Sequence, residues 1–251
     1  MSGVVAVIPA RWGSTRFPGK ILAPVCGRPL LHWVLERVGQ AKTPSRLLVA
    51  TDDERIARAA AEAGVESVMT RPDHPSGTDR IAEAVRDVVA DVVVNVQGDE
   101  PLISPDLIDE LAGALSGPGD FQMATAAVPL DDAGEIARSS VVKVVMAEDG
   151  AALYFSRSVI PHIRDRPAGE PLPAGVYRRH VGIYAYRRDF LFRLVQAPPS
   201  PLEELEKLEQ LRALHIGGRI KVLAASDTGA GVDEPGDVPR VEARLRALGL
   251  A

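Results

Sequence analysis

The chain has 251 residues, 46% hydrophobic and 25% charged, with a formal net charge of -5, which is the composition of an ordinary globular protein long enough for one large α/β domain. The negative balance argues against a nucleic-acid binder, because no basic excess exists to displace counterions. The lone cysteine, Cys26, excludes an internal disulfide framework and a cysteine-rich metal site, and no apolar run approaches the roughly 18 residues of a membrane span. With no basic-then-apolar leader at its start, the chain reads as cytoplasmic.

In chain order, Val4–Ile8 reads as a buried strand. It runs into Ile8-Pro-Ala-Arg-Trp-Gly-Ser-Thr-Arg-Phe-Pro-Gly-Lys20, a loop carrying Arg11, Arg16 and Lys20 among Gly13, Ser14, Thr15 and Gly19. Cations on a loop of small residues suit a polyanion such as a triphosphate: the side chains neutralise charge while exposed N–H groups bind the oxygens. Ile21 follows Lys20, so this is not a Walker A loop, and no G-x-G-x-x-G pattern is present in it. A helix over Pro29–Gln40 follows, then a strand over Arg46–Ala50 ending in Thr51-Asp52-Asp53, and a helix over Asp53–Ala63 stopped by Gly64. Val65–Met69 is a short strand and Ser76–Val89 a helix. Asp91–Val96 is nearly all valine, as a central strand covered on both faces should be. This rhythm predicts a three-layer α/β/α fold around a mainly parallel, Rossmann-like sheet. Right-handed crossovers then bring the loops 9–20, 51–53, 70–80 and 97–101 to one rim.

Beyond residue 120 the rhythm changes. Phe121–Val128, Val141–Met146, Ala152–Ser156 and Arg179–Tyr186 read as strands, with a Pro-, Arg- and Gly-rich excursion over 161–178. Ser200–Leu214 reads as a helix, opened by a Ser200/Glu203 capping box, with Leu202, Leu205, Leu208 and Leu211 as its buried stripe. Ile220–Ala224 is a last strand and Pro235–Leu248 a closing helix. The expected organisation is one domain, with a core over about 1–130 plus 215–251 and a smaller lobe over about 131–214.

Two acidic turns fall where chemistry is expected. Asp99 follows the valine strand on the rim that carries the basic loop, well placed to hold Mg²⁺, which favours one or two carboxylates plus phosphate oxygens. Glu100 is the alternative ligand, since periodicity does not choose between neighbours. Asp233 precedes a Pro-started helix, so the residues alone favour an N-cap over a metal ligand. By the same reasoning Arg157 reads as a salt-bridge partner and His180, in an apolar strand, as a satisfied core histidine.

Together these segments resemble the nucleotide-sugar nucleotidylyltransferases. Ser76-Gly-Thr-Asp-Arg80, Tyr154-Phe-Ser-Arg157 and Arg179-His-Val-Gly-Ile-Tyr184 narrow the resemblance to the branch that activates the acidic sugar 3-deoxy-manno-octulosonate (KDO) with CTP. Val94-Asn-Val-Gln-Gly-Asp-Glu-Pro101, Leu208-Glu-Gln-Leu-Arg212 and Gly231-Val-Asp233 support the same branch. The resemblance implies transfer of CMP from CTP to KDO with release of pyrophosphate, for lipopolysaccharide or capsule synthesis, by a Mg²⁺-dependent homodimer. It implies that Ala10, Arg11, Ser14, Arg16 and Lys20 bind the nucleotide, that Thr70, Arg71 and Ser76 line the cytosine and ribose pocket, and that Asp99 and Asp233 hold the metal. Arg11, Lys20, Asp99 and Asp233 would be the catalytic group. Arg80, Gln97, Arg157, His180, Tyr184 and Glu209 would face the sugar acid, whose carboxylate would be met by Arg80, Arg157 and His180 as cations and donors. Among Glu204, Glu206 and Glu209, only the resemblance selects Glu209. The 160–178 excursion matches loosely and is a candidate dimer surface. A cytidylyltransferase for 8-amino-KDO or a nonulosonate, and a non-catalytic nucleotide-binding module, remain alternatives. A glycosyltransferase is disfavoured because Gln97-Gly98-Asp99 is not a D-x-D motif.

Overall fold

Strand β1 (Val4–Ala10) is buried almost throughout because its two faces pack against different layers. Val4, Ala6, Ile8 and Ala10 join one apolar cluster, and Val5 and Val7 join another. A period-2 strand covered on both sides needs apolar residues at every position, which is why it reads as an unbroken apolar run. In this computed structural model the described residues are 3–13, 16–165, 167, 170, 172–227 and 229–251.

A 3₁₀ turn at Lys20–Leu22 and a two-residue hairpin, β2 (Pro24–Val25) with β3 (Arg28–Pro29), lead into α1 (Leu30–Gly39). Then come β4 (Arg46–Thr51), α2 (Glu54–Glu62), β5 (Glu66–Met69), α3 (Gly77–Ala84), β6 (Val92–Asn95) and α4 (Pro105–Leu115). Next come β7 (Met123–Pro129), α5 (Ala133–Ala137), β8 (Lys143–Met146), β9 (Ala152–Ser156), β10 (Arg178–Arg187), α6 (Arg188–Gln196), α7 (Pro201–Glu206) and α8 (Gln210–His215). The chain closes with β11 (Ile220–Ala224), a 3₁₀ turn at Pro235–Asp237 and α9 (Val238–Ala247). Among the described residues no helix is long and apolar enough to cross a membrane.

The strand order is β11-β7-β10-β6-β1-β4-β5, with the β8–β9 hairpin joined to β10 through Arg179 and Lys143. β10 runs antiparallel to β6 and β7, while the β1–β4, β1–β6, β4–β5 and β7–β11 pairs are parallel. Helices α1, α2 and α4 pack on one face through residues such as Val34, Ile56 and Ile108. Helices α3, α6 and α8 cover the other through Ile81, Leu191 and Leu211. The expected three-layer fold is therefore present, with α9 held apart against β2 and Trp33 in its own cluster.

The sequence reading differs from the structure in several places. The helix expected over Ser200–Leu214 is broken at Lys207, whose backbone is left-handed (φ 52, ψ 49). Consequently Leu202 and Leu205 are exposed and only Leu208 and Leu211 of the expected stripe are buried. The Ser200 capping box is present, and Ser76 and Asp53 cap α3 and α2. The helix expected to run to Val89 ends at Ala84, leaving Val89 almost fully exposed. Helices α4, α5 and α6 were not anticipated, although Ser104-Pro105 and the 3.6-residue spacing of Leu107, Ile108, Leu111 and Leu115 signal α4.

Candidate active site

After β1, Trp12 fixes the turn at Gly19. Gly19 adopts φ +70 and donates its N–H to the Trp12 carbonyl at 3.2 Å. A Cβ there would stand 2.9 Å from the Trp12 indole, so glycine alone fits. The indole also carries the Arg55 guanidinium, 3.4 Å from the ring centroid and held in turn by Asp53 at 2.6 Å. This clamp delivers Lys20, nearly buried, to the rim. Its ammonium meets the Asp99 carboxylate directly and lies 3.5 Å from Asp233, which also pairs with Arg16 at 3.1 Å.

The N-cap expectation for Asp233 does not hold. The Asp237 carboxylate accepts the N–H groups of both Asp233 and Glu234 at 2.9 Å, which leaves the Asp233 carboxylate turned to the cations. The two acidic turns are tied together where Val232 N–H donates to the Asp99 carbonyl at 2.9 Å. Between the neighbours Asp99 and Glu100, only Asp99 lines the cationic cavity. Glu100 is pressed against the Gly231 main chain, where a Cβ would come within 2.8 Å of its carboxyl. Burial, then repulsion from Asp99 and Asp233, pushes the Glu100 carboxyl up to about 8.

The cationic cavity has a volume of about 280 Å³ and is lined by Ala10, Arg11, Arg16, Lys20, Ser76, Arg80, Gln97, Asp99 and Asp233. Gly98 lets the 97–99 turn pass Ile21, whose Cδ1 would stand 3.0 Å from an added Cβ. Ser14 lies outside the described residues. Thr70 is not on the cavity wall: its hydroxyl donates to the Thr51 carbonyl at 3.1 Å and accepts from Arg80 at 2.6 Å. Arg71 is exposed and paired with Glu83 and Asp73 instead. Arg80 is buried, fixed by Thr70 and by Asp52 at 2.9 Å, and lines this cavity rather than the neighbouring one. His74, which sequence reasoning did not single out, also lines it, with Nε2 against the Glu83 carboxylate.

A second cavity of about 410 Å³ adjoins the first, and Gly77 and Gln97 line both. His180, Tyr184 and Glu209 lie together on its wall, beside Asn95, Thr78 and Tyr186, which sequence reasoning did not single out. His180 packs edge-on to Phe155, with centroids 5.0 Å apart, and burial pushes its ring down to about 3. It is therefore a neutral donor–acceptor and not the expected cation. The Thr125 hydroxyl lies 2.8 Å from the Ile183 carbonyl and 3.1 Å from that of Val181, and its single hydrogen is spent there. It must accept from His180 Nε2 at 3.0 Å, an assignment that leaves Nδ1 as a free acceptor. Burial raises the Glu209 carboxyl, against the pull of Thr78, Arg212 and Ser76. Since Ser76 and Gly77 also line the first cavity, the first turn of α3 stands between the two.

Arg157 is not brought to either cavity. Its guanidinium donates to the main-chain carbonyls of Glu206 at 2.6 Å, Ser139 at 3.0 Å and Lys207 at 3.4 Å, and the Glu206 carboxylate accepts its N–H at 2.9 Å. It spans the break between α7 and α8, and its guanidinium bonds to main chain where its surroundings in sequence suggest a salt bridge.

Opposed charges at the carboxyl edge of a doubly wound sheet, with a separate polar cavity beside them, are the arrangement of a nucleotidyltransferase. A family model described as cytidylyltransferase matches residues 5–220. A 3-deoxy-manno-octulosonate cytidylyltransferase of Syntrophotalea carbinolica is 48% identical over 98% of this chain and 99% of its own, and one of Bdellovibrio bacteriovorus is 47% identical over the same shares. A solved CMP:2-keto-3-deoxy-manno-octonic acid synthetase complexed with CTP superposes with a TM-score of 0.91 at 42% identity, over 98% of this chain and 100% of that one. The chain belongs to the 3-deoxy-manno-octulosonate cytidylyltransferase family.

Proposed function

We propose that this chain transfers CMP from CTP to the anomeric hydroxyl of KDO, releasing pyrophosphate. The observation that carries the reading is the pair of adjoining cavities. One is lined by Arg11, Arg16 and Lys20 opposite Asp99 and Asp233, and the other by Gln97, His180, Tyr184 and Glu209. The first suits a triphosphate and the second a polyhydroxylated sugar, with shared residues where the two substrates would meet.

The chemistry is in-line displacement at the α-phosphorus by the sugar hydroxyl. The chain's part is chiefly positioning and charge neutralisation. Arg11, Arg16 and Lys20 hold the triphosphate and stabilise the departing pyrophosphate. Gln97, Tyr184 and Glu209 orient the sugar hydroxyls, with His180 Nδ1 as an acceptor for one of them.

The donor set suits Mg²⁺. Asp99 and Asp233 converge on one ammonium, so a cation between them is already favoured. Mg²⁺ prefers one or two carboxylates completed by phosphate oxygens, and Asp99 and Asp233 would supply two. Held by Asp99 and Asp233, Mg²⁺ would screen phosphate charge and lower the pKa of the attacking hydroxyl. On this reading the chain acts as a homodimer in the cytoplasm, where CTP is made. Exposed Leu153, Leu202 and Leu205 support a partner surface, and sedimentation at the single-chain mass of 26.8 kDa would contradict a dimer.

The test is pyrophosphate release from the purified chain with Mg²⁺ and each of CTP, UTP, ATP and GTP, with and without KDO. Release that requires both CTP and KDO supports the proposal. Release only with another acidic sugar moves the sugar assignment, and none with any acidic sugar refutes the reaction.

A further inference from the structure

The carboxylate of the sugar acid is bonded to the same carbon as the attacking hydroxyl. Its receptor must therefore lie where the sugar cavity meets the side of the site that carries Asp99 and Asp233. The three residues expected for that task do not serve it. Arg157 is committed to main-chain carbonyls, His180 is neutral, and Arg80 lies in the nucleotide cavity tied to Asp52 and Thr70.

Among the described residues, the charged side chains lining the sugar cavity are Arg179, Lys207 and Glu209. Lys207 lines that cavity alone. Arg179, near the start of β10, lines it and also the cleft that contains Asp99, Glu100 and Asp233. No other residue is common to those two walls. Among the described residues its one ion pair is with Glu135, at 3.5 Å with both side chains about a third exposed (35% and 37%), and the Glu100 carboxyl also feels its charge, so most of its five N–H donors are uncommitted. A guanidinium so placed can take a carboxylate in a two-pronged hydrogen bond, which an ammonium cannot.

We infer that Arg179 is the residue that selects an acidic sugar, its guanidinium receiving the substrate carboxylate where the sugar cavity meets the cleft of Asp99, Glu100 and Asp233. This rests on the reaction proposed above. It makes the discrimination between a sugar acid and a neutral sugar a property of β10 and not of the Arg157 turn.

The test compares KDO with its C1 carboxamide as substrate for the full chain and for Arg179→Gln, Arg179→Lys, Glu135→Gln and Lys207→Asn. The unmodified chain prefers the acid. In Arg179→Gln the KM for KDO rises about tenfold or more, the scale of one charge-assisted hydrogen bond. Its KM for CTP stays within about twofold, and its preference for acid over amide disappears. Arg179→Lys recovers part of that preference. Glu135→Gln, which removes the ion pair and leaves the guanidinium, keeps the wild-type KM for KDO. Full acid preference in Arg179→Gln overturns the inference, as does Glu135→Gln reproducing its defect or Lys207→Asn erasing the preference. Should Arg179→Gln fail to fold, the inference stands or falls on whether Arg179→Lys shows a reduced acid preference. No turnover by the unmodified chain with either sugar refutes the proposed reaction itself, a result distinct from all of these.

Discussion

One ammonium, Lys20 Nζ, gathers two carboxylates from turns more than a hundred residues apart in the chain. Replacing Asp99 with Asn removes half of the negative charge available to a cation there. Turnover should fall on the order of 100-fold or more with the thermal midpoint nearly unchanged; near-normal turnover would remove Asp99 from the chemistry. His180 makes the opposite kind of prediction. Its ring is held near pKa 3 against an ordinary 6.5, so between those values the unfolded chain binds a proton that the native one refuses. Stability contributed by the neutral ring is complete above about pH 6.5 and is lost toward pH 3, at about 1.4 kcal/mol per pH unit. His180→Gln should flatten that part of a stability–pH curve, and a ring titrating near 6.5 by NMR would contradict the assignment. Individual residues differed in how much their chemistry showed in the sequence. Arg11, Lys20 and Asp99 were legible because a charge just past a buried strand has few places to go but the rim. Arg157 was not, because its partners are carbonyls of segments distant in the chain, and hydrogen bonds to main chain leave no trace in side-chain spacing.

At the level of elements, two short structures set the walls of the site. Gly19→Ala would force a left-handed residue and a clash with Trp12. The cost should be about 1–2 kcal/mol in unfolding free energy, with a raised KM for CTP because Lys20 is displaced. Equal stability and unchanged CTP kinetics would show that the loop does not depend on that turn. The α7–α8 break is the second. Arg157→Ala should lower stability by about 2 kcal/mol in urea unfolding, since three carbonyls lose a charged donor. It should also raise the KM for KDO while sparing CTP, because Lys207, Glu209 and Gln210 follow the break onto the sugar cavity wall. An unchanged urea midpoint would mean that the break holds without the guanidinium. Helical periodicity continued through this break because the leucine spacing is helical on both sides of Lys207. Long-range contacts interrupt it: the Glu206 carboxylate with Ser156 and the Arg157 N–H, and the Arg157 guanidinium with the Glu206 and Lys207 carbonyls.

Across the whole molecule, a doubly wound sheet brings the loops after β1, β4, β5 and β6 to one edge. The antiparallel β10 adds the start of its own strand to that edge, beside β6. Most of the parallel half was readable from sequence because its strands are unbroken apolar runs and α2 and α3 open on capping side chains, Asp53 and Ser76. The position of β10 was not, since a strand's alternation says which faces are apolar and not which strands flank it. Yet β10 supplies Arg179, His180 and Tyr184, so the second cavity depends on a pairing that sequence periodicity leaves open. The central claim is that the two cavities hold a triphosphate and a sugar so that a sugar oxygen displaces pyrophosphate from the α-phosphorus. The most direct test is a single turnover with CTP labelled at the α-phosphorus and KDO carrying ¹⁸O at its anomeric hydroxyl. The account predicts both labels in one product, the ¹⁸O bridging carbon and phosphorus, with unlabelled pyrophosphate. Phosphorus label in free CMP, or ¹⁸O absent from the bridge, would contradict it.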